Sequence, residues 1–552
     1  MMPLLNLVIL SLSLVFFCIL LFIITIYFVT ISTKTRQATL QQRSIKRLKL
    51  NALSPFQASA QSFAMMSPIM AICLVTPLIA SSAGMYVPLS ILVAGFGTML
   101  TGRTIAKFSS RITSAGSLHI YVRQSLGPAF GIYCGLLYVF AILFLTVGSA
   151  AFLSEFLSVH LSSTILFGIY GNMWFLSPLF FAFTLQISTG IVSVRGAEIS
   201  TKTLLWITCL SALMCIMLGI VVVSSVHRVG PYNDSVNTTA HVVSDSSADD
   251  TNDEKQRQPT NMGQFCKSIV YSLLIFSGYE SSTTMSEETK NPKTNIPKAV
   301  MWTVVLSSLF YTVASYLLSY GYINGEAWEK DTTGPLITLS KRFMNVEMSH
   351  LFFLSVLIDG WAGSIALVNA ISRLLYNLSQ DGIICYKIGK IHPTYETPYF
   401  AVIYTVTGTL IILCIATTCG YSMASIFMFT ADCGGVLIQA SYFLVMISGY
   451  FEFQQHQYET FLGASVPFIA VFGATLGSGI SAGYGTAFFI IVSGGISVSG
   501  ISYWKSEILN PSQKYTKTDD MENVRLLDSP DENFEKDSII VGSFQSIDLR
   551  IN

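Results

Sequence analysis

Phe276 to Lys298 reads FSGYESSTTMSEETKNPKTNIPK. An apolar helix arriving at Phe276 breaks at Ser277-Gly278 and empties into a charged loop. Backbone released from a helix inside a bilayer has no water to bond. It persists there only where it is buried in protein or lines a cavity, so an interruption at mid-depth is how a substrate site is built in a membrane. The stretch therefore predicts a membrane transporter.

Composition agrees with a polytopic membrane protein. Of 552 residues, 52% are hydrophobic and 11% charged, too apolar for soluble domains of ordinary make-up. A span needs ~20 apolar residues. The uncharged runs Ala58 to Gly102 and Thr460 to Trp504 therefore each hold two helices, split near Ser81-Ser82-Ala83-Gly84 and near Ser481-Ala482-Gly483. With the remaining runs and the lightly charged helices around Ile275, Ala366 and Tyr442, the chain has about thirteen spans, one of them ahead of a core of about twelve.

Lys plus Arg equal Asp plus Glu at 31 each, so the distribution of charge is informative where its sum is not. Lys34, Arg36, Arg43, Lys46, Arg47 and Lys49 stand without an acid between them, as do Arg103, Lys107, Arg111 and Arg123, which places both segments in the cytoplasm. The acidic loop between Arg228 and Thr260 carries two sequons, at Asn233 and Asn237, and reads as extracellular or lumenal and glycosylated. The ten cysteines are scattered through mostly apolar segments, with neither metal-ligand spacing nor a disulfide framework. No metal or other cofactor is expected, nor is nucleic acid a partner. Residues 1–33 lack a basic n-region and a small-residue cleavage site, and read as a retained extra helix rather than a signal peptide.

A second interruption matches the first. Met65-Met66-Ser67-Pro68 breaks another apolar span, because proline removes one helical hydrogen bond and clashes with the carbonyl four residues back, here Ala64, at ~3 kcal/mol. Ser67 is expected as N-cap and Pro68 as the first residue of a restarted half-helix. Paired interruptions in corresponding places predict an all-α inverted-repeat transporter of the LeuT-like fold. The expected organisation is the extra helix (1–33), a basic cytoplasmic linker (34–57), a first five-helix repeat (58–226), the acidic loop (227–261) and a second, inverted five-helix repeat (262–448). Two more helices (460–504) and a disordered cytoplasmic tail (505–552) follow. The tail holds Glu522 before Leu526-Leu527 and Glu535 before Ile539-Ile540, patterns of the acidic dileucine type that a sorting adaptor reads.

Three ordered motifs resemble those of the amino acid, polyamine and organocation permease superfamily. They are the opening stretch, whose family pattern is F-x-G-[FY]-E, then E-E-x-K-N-P, then I-P-[KR]-A; Ser114-Ala-Gly116 to Tyr121 with Leu126-Gly127-Pro128; and Asn369 to Tyr376 continuing through Asp381-Gly382, His392-Pro393 and Thr397-Pro398. The resemblance implies a permease with its site between core helices one and six, and an aromatic ring at Phe276 or Tyr279 helping to close that site from outside. The usual glycine motif of helix one is absent, with Met65-Met66-Ser67-Pro68 in its place. No cysteine stands in the outer loop or between Glu155 and Trp174, so the disulfide-linked heavy chain of one subgroup is not expected.

The candidate substrate residues are Met66, Ser67, Pro68, Ile69 and Met70 at the first break and Phe276, Ser277, Gly278 and Tyr279 at the second. Backbone N–H groups of the restarted half-helix suit a carboxylate, and carbonyls of the interrupted backbone suit an ammonium. Ionisable groups at bilayer depth are functional suspects. Glu280 reads as a proton shuttle or as a hydrogen-bonded lock on the broken helix. Asp359 reads as a cation-facing group or as a solvated edge residue. Ser364 and Ser211 are candidates beside a coupling site, with H+ or Na+ as the open choice of ion. Glu287, Glu288, Lys290, Lys293, Lys298 and Arg373 read as gating or topogenic residues.

No catalytic constellation is present, so an enzyme is not expected. The sequence predicts a secondary transporter of amino acids in the plasma or an endolysosomal membrane. A polyamine or organocation carrier and a transport-dead amino acid receptor are the alternatives.

Overall fold

A computed structural model describes residues 53–163, 177–195, 197–232, 262–331, 334–453 and 491. The extra helix, both sequons, most of 460–504 and the tail lie outside them. The described residues are helical throughout, with only isolated backbone bridges between extended residues. Eight helical stretches among them are long and apolar enough to cross a membrane.

The longest such stretch, Pro55–Arg111, is broken twice. Helix α1, Pro55–Met66, begins with a capping box: the Gln57 amide donates to Ser54 Oγ and the Ser54 amide to Gln57 Oε1, at 3.4 and 2.8 Å. It ends at Ser67, whose φ of 42° is left-handed. The Ala64 carbonyl that Pro68 would orphan accepts both the Ser67 amide and the Ser67 hydroxyl, each at 3.0 Å. Helix α2, Pro68–Ala83, restarts at the proline and stops at Gly84, and α3, Val87–Arg111, returns across the bilayer.

The short α4, Leu118–Leu126, leads into α5, Pro128–Ser163, followed by α6, Pro178–Arg195, and α7, Ala197–Val229. The second half starts with α8, Met262–Ile275, interrupted at Gly278 and continued only as a 3-10 segment, Ser281–Glu288. Its Ser and Thr hydroxyls explain the tightening. Thr283, Thr284 and Ser286 each donate to the carbonyl three residues back, competing with the α-helical ladder.

Beyond it come α9, Pro292–Ser319, the short α10, Gly325–Glu329, and α11, Pro335–Phe343. Three more spans, α12 (Val346–Gln380), α13 (Tyr399–Thr418) and α14 (Met423–Glu452), complete the described part.

The interrupted helices are central. Helix α8 packs on α2, α9 on α3, α1 on α7, and α5 on both α12 and α14. Exposed apolar residues recur at helical spacing on the outer helices: Leu89, Leu92 and Phe96 on α3; Leu210, Leu213, Met217 and Ile220 on α7; Trp302, Leu306 and Leu309 on α9. Such rows, wasteful in water, are what lipid tails require.

Around Leu53 and Glu288 the start of α1 is tied to the 3-10 segment. The Leu53 amide donates to the Glu288 carbonyl and the Lys290 amide to the Leu53 carbonyl, at 2.9 and 3.0 Å. The Ser282 amide donates to Ser62 Oγ at 2.8 Å, and Gln61 Nε2 donates to Ser281 Oγ at 3.1 Å. Arg373 of α12 reaches Glu288 with Nε and Nη2 on its two carboxylate oxygens, at 2.6 and 3.3 Å, and both residues are buried.

Candidate functional site

The two breaks face each other. A Cβ on Gly278 would lie 2.6 Å from Met65 Cγ, and the Gly278 φ of +109° is one that side-chain-bearing residues avoid, so glycine is what lets the breaks approach. Beside them lies a cavity of about 90 Å³. Met66, Ser67 and Met70 line it from the first break and Ser277 from the second. Gly148 and Ser149 of α5, Leu367 of α12 and Phe427 of α14 close its other walls. Its lining is apolar apart from serine hydroxyls, and no charged side chain takes part among the described residues. Ser277 Oγ is buried and makes no hydrogen bond.

The N-terminus of α2 is where a carboxylate was expected, and the backbone donor of each of its first four residues can be followed. Pro68 has none. The Ile69 and Met70 amides both donate to Asp359 Oδ2 of α12, at 3.0 and 3.1 Å, and the Ala71 amide donates to the Ser67 carbonyl at 2.8 Å. Ser67 therefore does not cap α2 with its side chain, whose hydroxyl turns back to Ala64. The cap is Asp359. Nor is Asp359 solvated at a membrane edge: it is fully buried, and its Oδ1 has no partner. A carboxylate is a stronger acceptor than a hydroxyl for amides at the positive end of a helix, which is why the tertiary cap displaces the local one.

Glu280 is buried between two tyrosines that donate to its two oxygens, Tyr138 of α5 and Tyr442 of α14, each at 2.5 Å. The Gly278 amide points to the same Tyr442 oxygen at 3.4 Å. Both carboxylate oxygens are engaged, and the arrangement ties the break to α5 and α14.

The other candidates are spread around the cavity. Pro68, Ile69 and Gly278 are not among the residues that line it. Phe276 packs edge-on against Tyr311 at 5.5 Å and Tyr279 lies against Tyr442 at 5.3 Å, so both rings flank a smaller void rather than the main cavity. Ser364 shares a 2.9 Å hydrogen bond with the lining Ser149 and donates to the Gly360 carbonyl. Ser211 donates along α7 to the Ile207 carbonyl.

Helices α5 and α14 contribute walls that sequence reading did not assign. Both are apolar on every side, which hides the inward face. The one local signal is the small pair Gly148-Ser149, where a Cβ on Gly148 would lie 2.6 Å from Thr430 Oγ1 of α14.

The chain matches the family model "Amino acid permease" over residues 59–498. It is 25% identical over 331 residues to the methylthioribose transporter of Bacillus subtilis (strain 168), a match covering 58% of this chain and 65% of that protein. To the branched-chain amino acid permease BcaP of the same organism it is 21% identical over 347 residues, covering 58% and 66%. The chain thus spans just under two thirds of the length of these curated relatives. Among solved structures it is similar to the Eremococcus coleocola manganese transporter in complex with an aromatic bis-isothiourea substituted compound. That likeness has a TM-score of 0.49 and 11% identity, covering 81% of this chain and 94% of the other.

Proposed function

We propose that this chain, which belongs to the amino acid permease family, is a secondary transporter of small neutral amino acids working by alternating access. The observation that carries the reading is one cavity walled by both interrupted helices, the arrangement in which half-helix ends and freed backbone meet a substrate. Methionine, leucine and phenylalanine side chains around it favour an apolar substrate side chain, and a relative named as a branched-chain amino acid permease supports that choice. Proline and glycine at the breaks support two repeats that rock about the site in opposite orientation. Coupling to H+ or Na+ and residence in the plasma or an endolysosomal membrane belong to the same reading.

Flux is the test. Proteoliposomes holding the purified chain should accumulate radiolabelled L-valine more than L-lysine or L-glutamate. L-Valine binding without flux would replace the transporter with a receptor, and uptake of putrescine in preference to every amino acid would replace the substrate class.

A further inference from the structure

The amides expected to receive a substrate carboxylate are already occupied by Asp359. We propose that Asp359 is an internal stand-in for that carboxylate: it holds the α2 N-terminus while the transporter is empty and leaves the Ile69 and Met70 amides when an amino acid binds. The proposal rests on the amino acid reading above.

Three observations carry it. First, the donor count at α2 is complete, with no free amide among Pro68, Ile69, Met70 and Ala71. A carboxylate ligand can gain that helix end only by replacing the one in place. Second, Asp359 is bound by one oxygen alone: Oδ2 takes both amides while Oδ1, fully buried, has no partner. A structural cap would be expected to satisfy both oxygens, since a buried polar atom left unpaired costs free energy. Glu280, with a tyrosine on each oxygen, shows what the satisfied arrangement looks like in this same protein.

Third, the neighbouring cavity is lined by Ser67, which precedes the capped turn, and by Met70, whose own amide is one of the two, so a ligand there lies beside this helix end. Glycines at 360 and 363 bring α12 close enough that a Cβ would lie 2.7 Å from Met70 Sδ and 1.6 Å from Ser67 Oγ, respectively. The competition is between chemically equal acceptors, carboxylate for carboxylate. A substrate lacking that group has nothing to exchange.

The test compares L-valine, valinamide and isobutylamine, which keep the side chain and amine while losing the carboxylate stepwise, as competitors on the full-length chain. In Asp359→Asn and Asp359→Ala the internal competitor is weakened or gone, so L-valine should bind at least tenfold tighter than to the unaltered chain. Valinamide and isobutylamine should shift less than twofold. Unchanged or weaker L-valine binding in both variants overturns the proposal and leaves the amino acid reading standing. Isobutylamine bound by the unaltered chain and lost in the variants, with L-valine bound by neither, overturns both readings and makes Asp359 the counter-charge of an amine. Failure of all three compounds to bind in any form also overturns both.

If the variants misfold, the unaltered chain labelled with [4-13C]aspartate decides the matter by infrared difference spectroscopy. L-Valine should shift a buried aspartate carboxylate band and valinamide should not. L-Valine binding with no such shift overturns the proposal.

Discussion

Single residues decide how close the two breaks come. Gly278→Leu must adopt the +109° φ and push against Met65, whose Cγ already lies 2.6 Å from an added Cβ. Backbone strain of ~1–3 kcal/mol is spread over a large buried molecule, so uptake should be abolished while surface amount stays within twofold of normal. Normal L-valine uptake by this variant would sink the site assignment. Arg373 and Glu288 make the opposite kind of case. Arg373→Met leaves a buried carboxylate without its partner, a loss of ~3–5 kcal/mol in pairs of this type, whereas Arg373→Met with Glu288→Leu should recover most of it. Thermal unfolding in detergent would show this as a lowered midpoint for the single variant that the double variant restores. At this scale the break residues were legible, since proline, glycine and serine act on their own backbone. Asp359 was legible only as an ionisable suspect, cation-facing or solvated at the edge: its partners lie 290 and 289 residues away in sequence, and no local rule could set its cap against the one assigned to Ser67.

At the scale of elements, the broken helix is held by three devices together: the left-handed Ser67, the missing amide of Pro68 and the carboxylate on α2. Pro68→Ala restores a donor and removes the clash with Ala64. A more continuous helix should then form, with L-valine binding weakened several-fold and surface amount near normal. Binding equal to that of the unaltered chain would show that the left-handed Ser67 holds the break unaided. The two interruptions looked alike in sequence and are unlike in form. The first restarts as an α-helix of 16 residues, the second as a 3-10 segment of eight. Hydroxyls at 283, 284 and 286 account for the difference, a signal that Ser-Ser-Thr-Thr carried but that apolar periodicity, the usual guide, does not read. The same blindness to uniformly apolar helices hid the walls supplied by α5 and α14.

For the molecule as a whole, the tie between α1 and the 3-10 segment joins the ends of the two interrupted helices on one side of the site. The proposed alternating access requires it to open. Cysteines introduced at Ser62 and Ser282, whose hydroxyl and amide are 2.8 Å apart, should therefore stop L-valine flux when bridged by Hg2+ while leaving binding intact. Continued flux in the bridged protein would move the gate elsewhere. Lys290, exposed beside this tie, should be reached by membrane-impermeant amine reagents only from the cytoplasmic face, with glycan on Asn233 or Asn237 on the other. Labelling of Lys290 from outside intact cells would reverse the topology. The eight long apolar helical stretches among the described residues could be laid out from the charge-free and lightly charged runs, because bilayer thickness acts on whole segments. Their mutual packing could not, because lipid-facing and protein-facing sides are equally apolar.

The two central carboxylates also give the molecule an electrical character. Asp359 is held by amides and Glu280 by phenols, so neither has a basic side chain among its hydrogen-bond partners. When either group is ionised, an empty carrier that rocks in the proposed cycle displaces charge within the membrane field, and one elementary charge crossing all of it is worth ~2.3 kcal/mol per 100 mV. A zwitterion brings no net charge to offset this. Membrane voltage should accordingly drive the return of the empty carrier in one direction and oppose it in the other, visible as a transient current when no substrate is present.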